Sequence, residues 1–540
     1  MRRLILLFLF SLLLACPTPG GDDDDTVDDD DVGDDDDSTP NTAPTANDDE
    51  ATTEVGTAVW IDVLDNDTDP QGDDLEIEVL SPAADGTVVR DAGGVLYTPD
   101  AGFAGTDTFD YLIADPGGLT DGATVTVEVN CAGGFEVMSL TSVGALADDD
   151  SRSVAVSGDG AVVVFESDAA LVPEDTNTVT DIYLADRVAG TIELVSTAWD
   201  GGSADDASSA PGVSADGAWV AYESYATNLV QNDTNATRDI FLWERGTGTT
   251  VRASRKSNGD ESDGGSSEVS LSADGRYVAF SSYGNLDPVV TFATSDVWVF
   301  DRVTEAVELI SVSTTGVDGI QTSGRPSISG DGSLVAFRSM AWDLVTDDTD
   351  GVNDIFLRDR GAETTARINL PTGVLAADGH SQRPAISQDG STVAFTSQAT
   401  NLVAGDTEGV DDVFVVTVAS GVVERVSVDS LEVASTAESD FPDISADGRF
   451  VAFTSEGALD ATGTAGVRDL YVRDRTAGTT THASVGCAGQ ANASDIYVPV
   501  GLASDGTGLV FASNEADLMT PLVDDNASMD VFWVPNPAAP

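Results

Sequence analysis

The sequence predicts an all-β protein, a small antiparallel β-sandwich followed by a seven-bladed β-propeller of four-stranded blades whose ring is closed by an N-terminal outer strand. Two observations support this prediction. Short apolar runs alternate with polar residues between turns rich in Gly, Asp and Pro, and no helix-length period appears. An Asp-Gly pair between two strand-like runs also recurs seven times after residue 150.

The composition excludes several classes of partner and site. The 540 residues contain 23 Lys plus Arg against 95 Asp plus Glu, for a formal net charge of -72, with two His and three Cys. Because nucleic-acid binding needs basic residues that neutralise phosphates, we expect no nucleic-acid partner. We also expect no nucleotide, since the single lysine, Lys256, lies outside any GxxxxGK[ST] phrase. His380 and His482 have no zinc-ligand spacing.

The first 15 residues are typical of a signal peptide. Two arginines precede an apolar run over residues 4–14, too short to cross a bilayer, which needs about 20 residues. The tetrad Leu-Leu-Ala-Cys ending at Cys16 resembles the bacterial lipobox, and the resemblance implies a diacylglycerol on Cys16 that anchors the chain to a membrane. The alternative is an ordinary signal peptide. Pro17, where an aspartate would resemble an inner-membrane retention signal, favours the outer membrane of a bacterial envelope and leaves surface exposure open.

Residues 16–44 are predicted to form an acidic, disordered stalk behind the anchor. Twelve aspartates lie between positions 22 and 37. Their charges repel one another and the segment has almost nothing apolar to bury, so we expect an extended spacer. A cation-binding segment or a signal for surface export are the alternatives.

Residues 45–130 are predicted to form the β-sandwich, because apolar residues alternate with period two in short runs. The phrases VLDNDTDPQGDDL and YTPDAGFAGTDTFDYLIADPGG resemble the bacterial cadherin-like, immunoglobulin-like repeat. That resemblance implies a calcium-stiffened spacer or adhesion module, and calcium prefers six to eight oxygen ligands. The alternative is that these acids only cap turns. The candidate calcium ligands are Asp48, Asp65, Asn66, Asp67, Asp69 and Asp115.

Residues 131–540 are predicted to form the propeller. Successive Asp-Gly pairs are 57 or 58 residues apart, and each copy has room for four strands. The glycines of these pairs are Gly160, Gly217, Gly275, Gly332, Gly390, Gly448 and Gly506. The seventh copy ends after its third strand, and an orphan strand from Phe135 matches the missing fourth. The phrases SxDGxxVAFxS and DIYVxDR resemble TolB-type propeller repeats, although TolB itself usually has six blades.

The long connections between strands are expected on one face of the propeller, opposite the short Asp-Gly turns. The connection from second to third strand carries a recurring acidic phrase whose oxygen ligands could hold calcium. Asx turns and strand-end caps are the alternative explanation. The last Asp of the phrase recurs in all seven copies, which favours a structural role for it. The candidate loop residues are Asp175, Asn177, Asp181, Asp233, Asn235, Asp239, Asp348, Asp350, Asp354, Asp406, Glu408 and Asp412.

No catalytic motif stands out. The phrase Gly379-His380-Ser381 fails to complete a nucleophile elbow at Arg383. The blade layout places Cys131 and Cys487 on opposite faces, so we expect no intrachain disulfide between them.

The sequence therefore favours a non-catalytic, lipid-anchored envelope or surface protein whose propeller binds an unknown protein or glycan on the long-loop face. The alternatives are a polysaccharide hydrolase or lyase and a periplasmic interaction protein similar to TolB.

Overall fold

The computed structural model describes residues 40–91, 93–100, 103, 105–130, 134–287, 294–348, 351–371, 376–485, 495–514 and 528–539. Cys16, the predicted signal peptide and most of the stalk lie outside these residues, as do Cys131, Asp350 and Cys487. Every regular element in the described ranges is a strand. None of the described segments forms a helix long and apolar enough to cross a membrane.

The N-terminal domain is a sandwich of two sheets. One sheet has the strand order β1-β7-β6-β3 and the other β2-β5-β4. The strands are β1 (Asp49–Glu54), β2 (Val59–Ile61), β3 (Glu76–Leu80), β4 (Gly86–Asp91), β5 (Gly94–Pro99), β6 (Gly105–Ala114) and β7 (Thr120–Asn130). The core lies between the sheets, where Val125, Val127 and Val129 of β7 are fully buried as their alternation predicts.

The prediction of a wholly antiparallel sandwich is wrong at one edge, because β1 pairs with β7 in parallel. β7 is paired on its other side with β6, antiparallel along its whole length. Because β1 and β7 run in the same direction, they cannot be joined as a hairpin, and the chain between them must cross over. Hydrophobic alternation identifies each strand but does not reveal which strands pair in parallel.

The remaining strands form seven four-stranded antiparallel sheets, and the predicted seven-bladed propeller is confirmed. In each blade the first strand is innermost, where it contacts the first strands of both neighbouring blades. Each blade is given from its innermost to its outermost strand. Blade 1 contains β9 (Ser151–Val156), β10 (Val162–Ser167), β11 (Asp181–Asp186) and β12 (Thr191–Leu194); blade 2 contains β13 (Ser208–Val213), β14 (Trp219–Ser224), β15 (Asp239–Glu244) and β16 (Thr249–Arg252); blade 3 contains β17 (Ser266–Leu271), β18 (Tyr277–Ser282), β19 (Asp296–Asp301) and β20 (Ala306–Leu309). Blade 4 contains β21 (Ser323–Ile328), β22 (Leu334–Ser339), β23 (Asp354–Asp359) and β24 (Thr364–Arg367); blade 5 contains β25 (Ser381–Ile386), β26 (Thr392–Ser397), β27 (Asp412–Thr417) and β28 (Val422–Arg425); blade 6 contains β29 (Ser439–Ile444), β30 (Phe450–Ser455), β31 (Asp469–Asp474) and β32 (Thr479–His482); blade 7 contains β33 (Tyr497–Leu502), β34 (Gly508–Ser513), β35 (Asp530–Pro535) and β8 (Glu136–Val137).

The predicted ring closure is confirmed. β8 pairs antiparallel with β35, with Val137 opposite Phe532 and Glu136 opposite Trp533. The N-terminal strand thereby completes the blade that contains the C-terminal strand, and the ring has no missing outer strand.

The Asp-Gly turns have the backbone that their sequence predicts. All seven glycines have positive φ, between 62° and 78°, a region open to glycine without a Cβ clash. In six blades a serine two residues before the Asp supports the turn, as when Ser157 Oγ donates to Asp159 Oδ1 at 2.8 Å. These short turns lie on one face, and the connections from second to third and from fourth to first strands lie on the other, which we call the long-loop face.

Arginines that follow the third strands tie neighbouring blades together on the short-turn face. Arg360 is an example: its Nη1 donates to the Gly332 carbonyl of its own blade, and its Nη2 lies 2.7 Å from Glu308 of the previous blade. The other three such ion pairs are Arg187–Glu136, Arg245–Glu193 and Arg475–Glu424.

Candidate functional site

A buried aspartate begins the third strand of every blade and fastens the long connections beneath the long-loop face. Asp181 is typical: its Oδ1 accepts a hydrogen bond of 2.5 Å from Ser196 Oγ, and the same Oγ accepts the N–H of Ile182 at 2.9 Å. The equivalent aspartates with such a Ser or Asn donor are Asp239, Asp296, Asp354, Asp412 and Asp530. In blade 6 Asp469 instead lies 3.3 Å from His482 Nε2.

Enclosure of these aspartates makes their ionisation costly. Burial raises the pKa of Asp181, Asp239 and Asp412 to about 6, against the lowering effect of their hydrogen bonds. Burial raises the pKa of Asp296 to about 7. These four side chains are nearly or fully buried, so they act as hydrogen-bond acceptors inside the protein.

In blades 2, 4 and 5 an arginine at the end of the fourth strand lies between two acids of the acidic phrase. Arg367 Nη1 lies 2.8 Å from Asp354 Oδ2 and 3.4 Å from Asp348 Oδ1, and all three side chains are buried. Arg252 likewise contacts Asp233 and Asp239, and Arg425 contacts Asp406 and Asp412. A guanidinium therefore occupies the space between the carboxylates predicted to hold a cation.

Blade 1 carries the phrase without the arginine, since Leu194 stands at that position. Neutral groups satisfy the acids there. Tyr183 Oη donates to Asp175 Oδ2, and Asn177 Nδ2 donates to Asp181 Oδ2 at 2.7 Å.

Two further predicted loop residues also have partners inside the chain. Asn235 donates to Asp239 at 2.8 Å. Glu408 accepts from Thr407 at 3.0 Å.

The sandwich brings together part of its predicted cation set. Asp67 Oδ1 accepts the N–H of Asn47 at 2.8 Å, and Asn66 Nδ2 donates to the Asp48 carbonyl at 3.0 Å. The Tyr111 hydroxyl donates to Asp67 Oδ2 at 3.1 Å. Asp48, Asn66 and Asp67 thus converge around the segment that begins β1.

Asp49, which the sequence reasoning missed, belongs to the same group. Burial, together with the nearby charges of Asp67, Asp48 and Asp62, raises the pKa of Asp49 to about 6, against the lowering effect of the hydrogen bond from Tyr111. Burial also raises the pKa of Asp67. The only base in residues 45–130 is Arg90, which is exposed on β4, so this acidic group has no guanidinium comparable to those of the blades.

The other predicted ligands of the sandwich hold separate turns. Asp69 Oδ1 accepts the N–H groups of Gln71 and Asp73 at 2.7 and 3.2 Å. Asp115 accepts from Asn41 Nδ2 and from the Leu119 N–H, each at 2.9 Å. Asp65 lies in a turn in which its N–H donates to the Asp62 carbonyl at 3.3 Å.

In the described ranges a different group of carboxylates lies close enough together to share a metal ion. Asp149, Asp150 and Asp168 have oxygens within 4.8 Å of one another beside blade 1. Arg152 already lies 2.7 Å from Asp168 and Met529 N–H donates to Asp150 at 2.9 Å, so this group also has internal donors.

The inner strands carry a feature that the sequence did not reveal. Their third residue has positive φ in six blades and lies at a β-bulge facing the central channel. These residues are Ser153, Ala210, Glu268, Arg325, Arg383 and Phe441, with φ between 49° and 62°. They line a cavity of about 500 Å³ that runs along the channel from these bulges to Val213 and Leu271 at the ends of two inner strands. The bulges lie in the half of each inner strand nearer the long-loop face.

Acidic side chains hold the bulges of the first blades in place. Glu166 accepts the N–H of Ala210 at 2.9 Å, and Glu223 accepts the N–H of Glu268 at 2.6 Å. Glu268 in turn accepts the N–H of Arg325 at 2.7 Å. Each bond joins one blade to the next at the channel, and positive φ at non-glycine residues is a strain that such sites often carry.

The exposed aromatic side chains of the propeller are confined to one face. Among the described residues they are Trp199, Tyr225, Tyr283, Trp342 and Tyr497. Each lies in a long connection or at the start of an inner strand, hence on the long-loop face. Among the described residues, the large apolar side chains exposed in the short turns or directly beside them are three valines, Val188, Val303 and Val422.

The Gly379-His380-Ser381 phrase has no catalytic geometry. Ser381 is buried at the start of β25, where its Oγ lies 2.9 Å from Ser397 Oγ and from Asn369 Nδ2. His380 Nδ1 accepts the Asn353 N–H at 3.0 Å. The two side chains are engaged in separate contacts.

Comparison with known proteins identifies the first domain. Residues 41–128 match the family described as Bacterial Ig domain. The predicted immunoglobulin-like resemblance of this region is thus confirmed. The search of curated proteins found no match.

Two solved structures resemble the chain at low similarity. A TolB-designated protein from Agrobacterium tumefaciens is 16% identical with a TM-score of 0.34, over 51% of this chain and 80% of its own. TolB from Acinetobacter baumannii is 15% identical with a TM-score of 0.35, over 74% of this chain and 79% of its own. The assignment of seven blades rests on the sheet topology.

Proposed function

We propose that this chain is a non-catalytic binding protein of the bacterial cell envelope, anchored by lipid at Cys16, most simply in the outer membrane. In this proposal the acidic stalk and the Ig-like domain act as spacers. The long-loop face of the propeller then binds a protein or glycan outside the membrane surface.

The confinement of exposed aromatic rings to the long-loop face carries this proposal. Trp342 and Tyr283 are 48% and 66% exposed there. Tyr and Trp are enriched among residues that dominate binding energy, because they bury large areas with little loss of conformational entropy. Exposed aromatic side chains that are concentrated on one face are typical of a binding surface.

The rival enzyme proposal, a polysaccharide hydrolase or lyase, needs loop carboxylates free to act as acid and base. The recurring loop carboxylates are instead engaged by arginine, serine, asparagine or tyrosine side chains. A periplasmic role similar to that of TolB remains a variant of the binding proposal that differs in which compartment the long-loop face meets.

Calcium forms a separate part of the proposal. We place it in the Ig-like domain, at the group of Asp48, Asp49, Asn66 and Asp67. Clustered carboxylates and carbonyls are the ligands that calcium prefers. The proposal is supported by the raised pKa of Asp49, which reflects its burial and the negative charges of Asp67, Asp48 and Asp62 around it.

Binding arrays test the central proposal. The purified chain is applied to arrays of peptides and polysaccharides, and the affinity of each hit is compared with that of Trp342→Ala and Tyr283→Ala. We expect each variant to bind about tenfold more weakly or worse. The control, Val188→Ala with Val303→Ala on the short-turn face, should bind as the parent does. Turnover of a polysaccharide, lost when a loop carboxylate is replaced, would contradict the proposal.

The anchor and the compartment need their own measurements. Growth with an alkyne fatty acid should label the parent chain and not Cys16→Ser; equal labelling would refute lipidation at Cys16. Protease treatment of intact cells should degrade a surface-exposed propeller and spare a periplasmic one.

A further inference from the structure

Three arginines of blades 4 and 5 lie together in the half of the central channel nearer the long-loop face, which we call its mouth. Arg325 and Arg383 are the bulged residues of β21 and β25, and Arg338 lies beside them on β22. Arg325 and Arg383 line the channel cavity of about 500 Å³. In a chain of net charge -72, such a concentration of positive charge is exceptional and points to a local task.

Arg325 and Arg338 share one carboxylate that is already engaged. Arg325 Nε and Arg338 Nη2 lie 3.7 and 3.9 Å from Glu268 Oε1, beyond hydrogen-bond distance. The other oxygen of Glu268 accepts both the Arg325 N–H and the Ser281 hydroxyl, each at 2.7 Å. The two guanidinium groups therefore retain N–H donors that Glu268 does not satisfy.

Arg383 completes the group. Its Nη1 donates to Asp440 Oδ2 at 2.8 Å, and its guanidinium lies 3.7 Å from the centre of the Phe441 ring. The Nε atoms of Arg325 and Arg383 are enclosed and have no hydrogen-bond acceptor among the described residues. Burial lowers the pKa of Arg383, and the positive charges of Arg325 and Arg338 lower it further, so the three side chains interact electrostatically.

The arginines of blades 1 and 2 at the same mouth are different. Arg152 lies 3.0 Å from Glu166 and 2.7 Å from Asp168, and Arg238 lies 2.8 Å from Glu223. These guanidinium groups have close carboxylates of their own. The open donors are therefore specific to blades 4 and 5.

We propose that Arg325, Arg338 and Arg383 bind the C-terminal carboxylate of a protein partner that enters the channel from the long-loop face. This assignment rests on the proposed function, since it supplies the ligand class for that face. Guanidinium groups present N–H donors in a planar fork that matches a carboxylate. A carboxylate among these three arginines could accept from the guanidinium N–H groups that Glu268 leaves unsatisfied, and it would add the negative charge that Glu268 and Asp440 only partly provide.

The surroundings favour a single charge on a peptide over a polyanion. Glu223, Glu268 and Asp443 also line the cavity, so a polymer with a charge on every unit meets repulsion there. Pro326, Pro384 and Pro442 line the cavity. Because proline has no backbone N–H, the inner strands cannot donate a hydrogen bond to an added β-strand at these positions. Side-chain recognition of a chain end fits both features.

The test uses fluorescent peptide libraries whose last four positions are randomised among uncharged residues, made with either a free C-terminal carboxylate or a C-terminal amide. Fluorescence polarisation is measured with the full chain. We expect free-acid peptides to bind at least about tenfold more tightly than the matched amides, as a charge-assisted pair implies. Equal binding of acid and amide would overturn the assignment.

Variants locate the site. Arg325→Gln and Arg383→Gln should abolish the preference for free acid, whereas Arg238→Gln, at the same mouth but paired with Glu223, should keep it. Arg383→Lys retains the positive charge but lacks the planar guanidinium, so it should keep part of the preference for free-acid peptides. A partial preference also shows that a variant at this position still folds. Uniform behaviour of all four variants would contradict the proposal.

Two further outcomes separate this inference from the proposed function. Loss of partner binding in Trp342→Ala without any effect of the arginine variants refutes the arginine site and leaves the binding face intact. Binding of uronate-terminated oligosaccharides through the same arginines, with no peptide bound, refutes the protein C-terminus and assigns the site to an acidic glycan.

Discussion

Two groups of aspartates, one in blade 4 and one in the Ig-like domain, differ in how the negative charge of their carboxylates is compensated. In blade 4 the guanidinium of Arg367 lies between Asp348 and Asp354, and all three are buried. In the Ig-like domain Asp49 and Asp67 share the Tyr111 hydroxyl and have raised pKa values. The blade thus contains its own cation, whereas the acidic group of the Ig-like domain is where we propose that calcium binds.

The difference shows that an acidic phrase in a sequence does not by itself indicate a metal. Burying a carboxylate requires a compensating charge or several hydrogen bonds. The fourth strands of blades 2, 4 and 5 end in arginine, so the chain provides the charge.

The largest expected effect is the loss of the buried guanidinium of blade 4. Arg367→Met should lower the free energy of unfolding of the propeller by about 3–5 kcal/mol, because two buried carboxylates lose their counterion. Chemical denaturation with hydrogen-exchange mass spectrometry distinguishes the propeller from the Ig-like domain. A loss below about 1 kcal/mol would mean that Asp348 and Asp354 do not depend on this arginine.

Calcium should have the next largest effect, and only on the Ig-like domain. At a calcium concentration one hundred times the dissociation constant, binding to the folded state adds about 2.7 kcal/mol to its stability. The shift in unfolding midpoint should disappear in Asp67→Asn. The control Asp115→Asn, whose oxygens cap a separate turn, should retain it. Equal midpoints in calcium and in chelator would contradict the calcium proposal.

The pH dependence of the Ig-like domain should be smaller. The pKa of Asp49 is about 6 in the folded state against 3.8 for the free side chain. The folded state therefore retains a proton that the unfolded state loses between these values. The contribution of Asp49 to stability should be greatest below pH 3.8 and should be lost as pH rises through 6.

Because Asp49 is partly exposed to solvent, we expect the effect of its titration to be about 1 kcal/mol. Hydrogen exchange in the Ig-like domain at pH 5 and pH 7 measures it. Asp49→Asn should remove this part of the dependence, and an unchanged slope in that variant would refute the assignment.

The smallest effect is expected at an exposed ion pair. Arg255 Nη2 lies 2.7 Å from Glu305, which is mostly exposed. Arg255→Ala should change the stability of the propeller by at most about 1 kcal/mol, since water screens such pairs. A loss as large as that of Arg367→Met would erase the distinction between buried and exposed arginines.

The sequence predicted the repeating framework well, because its signals are local. Each Asp-Gly turn requires a glycine with positive φ, and the spacing of those glycines counted the blades. Ring closure followed from the match between the segment after Phe135 and the fourth strands. These features need only neighbouring residues and a fixed period.

The side-chain pairing was harder to predict, because it depends on residues that meet only after folding. Arg367 reaches Asp354 from 13 positions along the chain, through the register of β23 and β24. A signal was present, since arginine ends the fourth strand in three of the four blades with the phrase. The bulged residues share no side-chain chemistry, as Ser153, Ala210 and Phe441 illustrate. Their signal is the residue that follows, which is proline in four of the six blades, and that pattern does not by itself predict a positive φ.

The most direct test of the division between the two groups is the number of calcium ions bound by the full chain, measured by equilibrium dialysis with metal analysis. Two variants are compared with the parent: Asp49→Asn with Asp67→Asn in the Ig-like domain, and Asp233→Asn with Asp406→Asn in the blades. We predict that the first variant binds less calcium than the parent and that the second binds the same amount. A loss confined to the second variant would place the ion in the propeller loops and contradict the account.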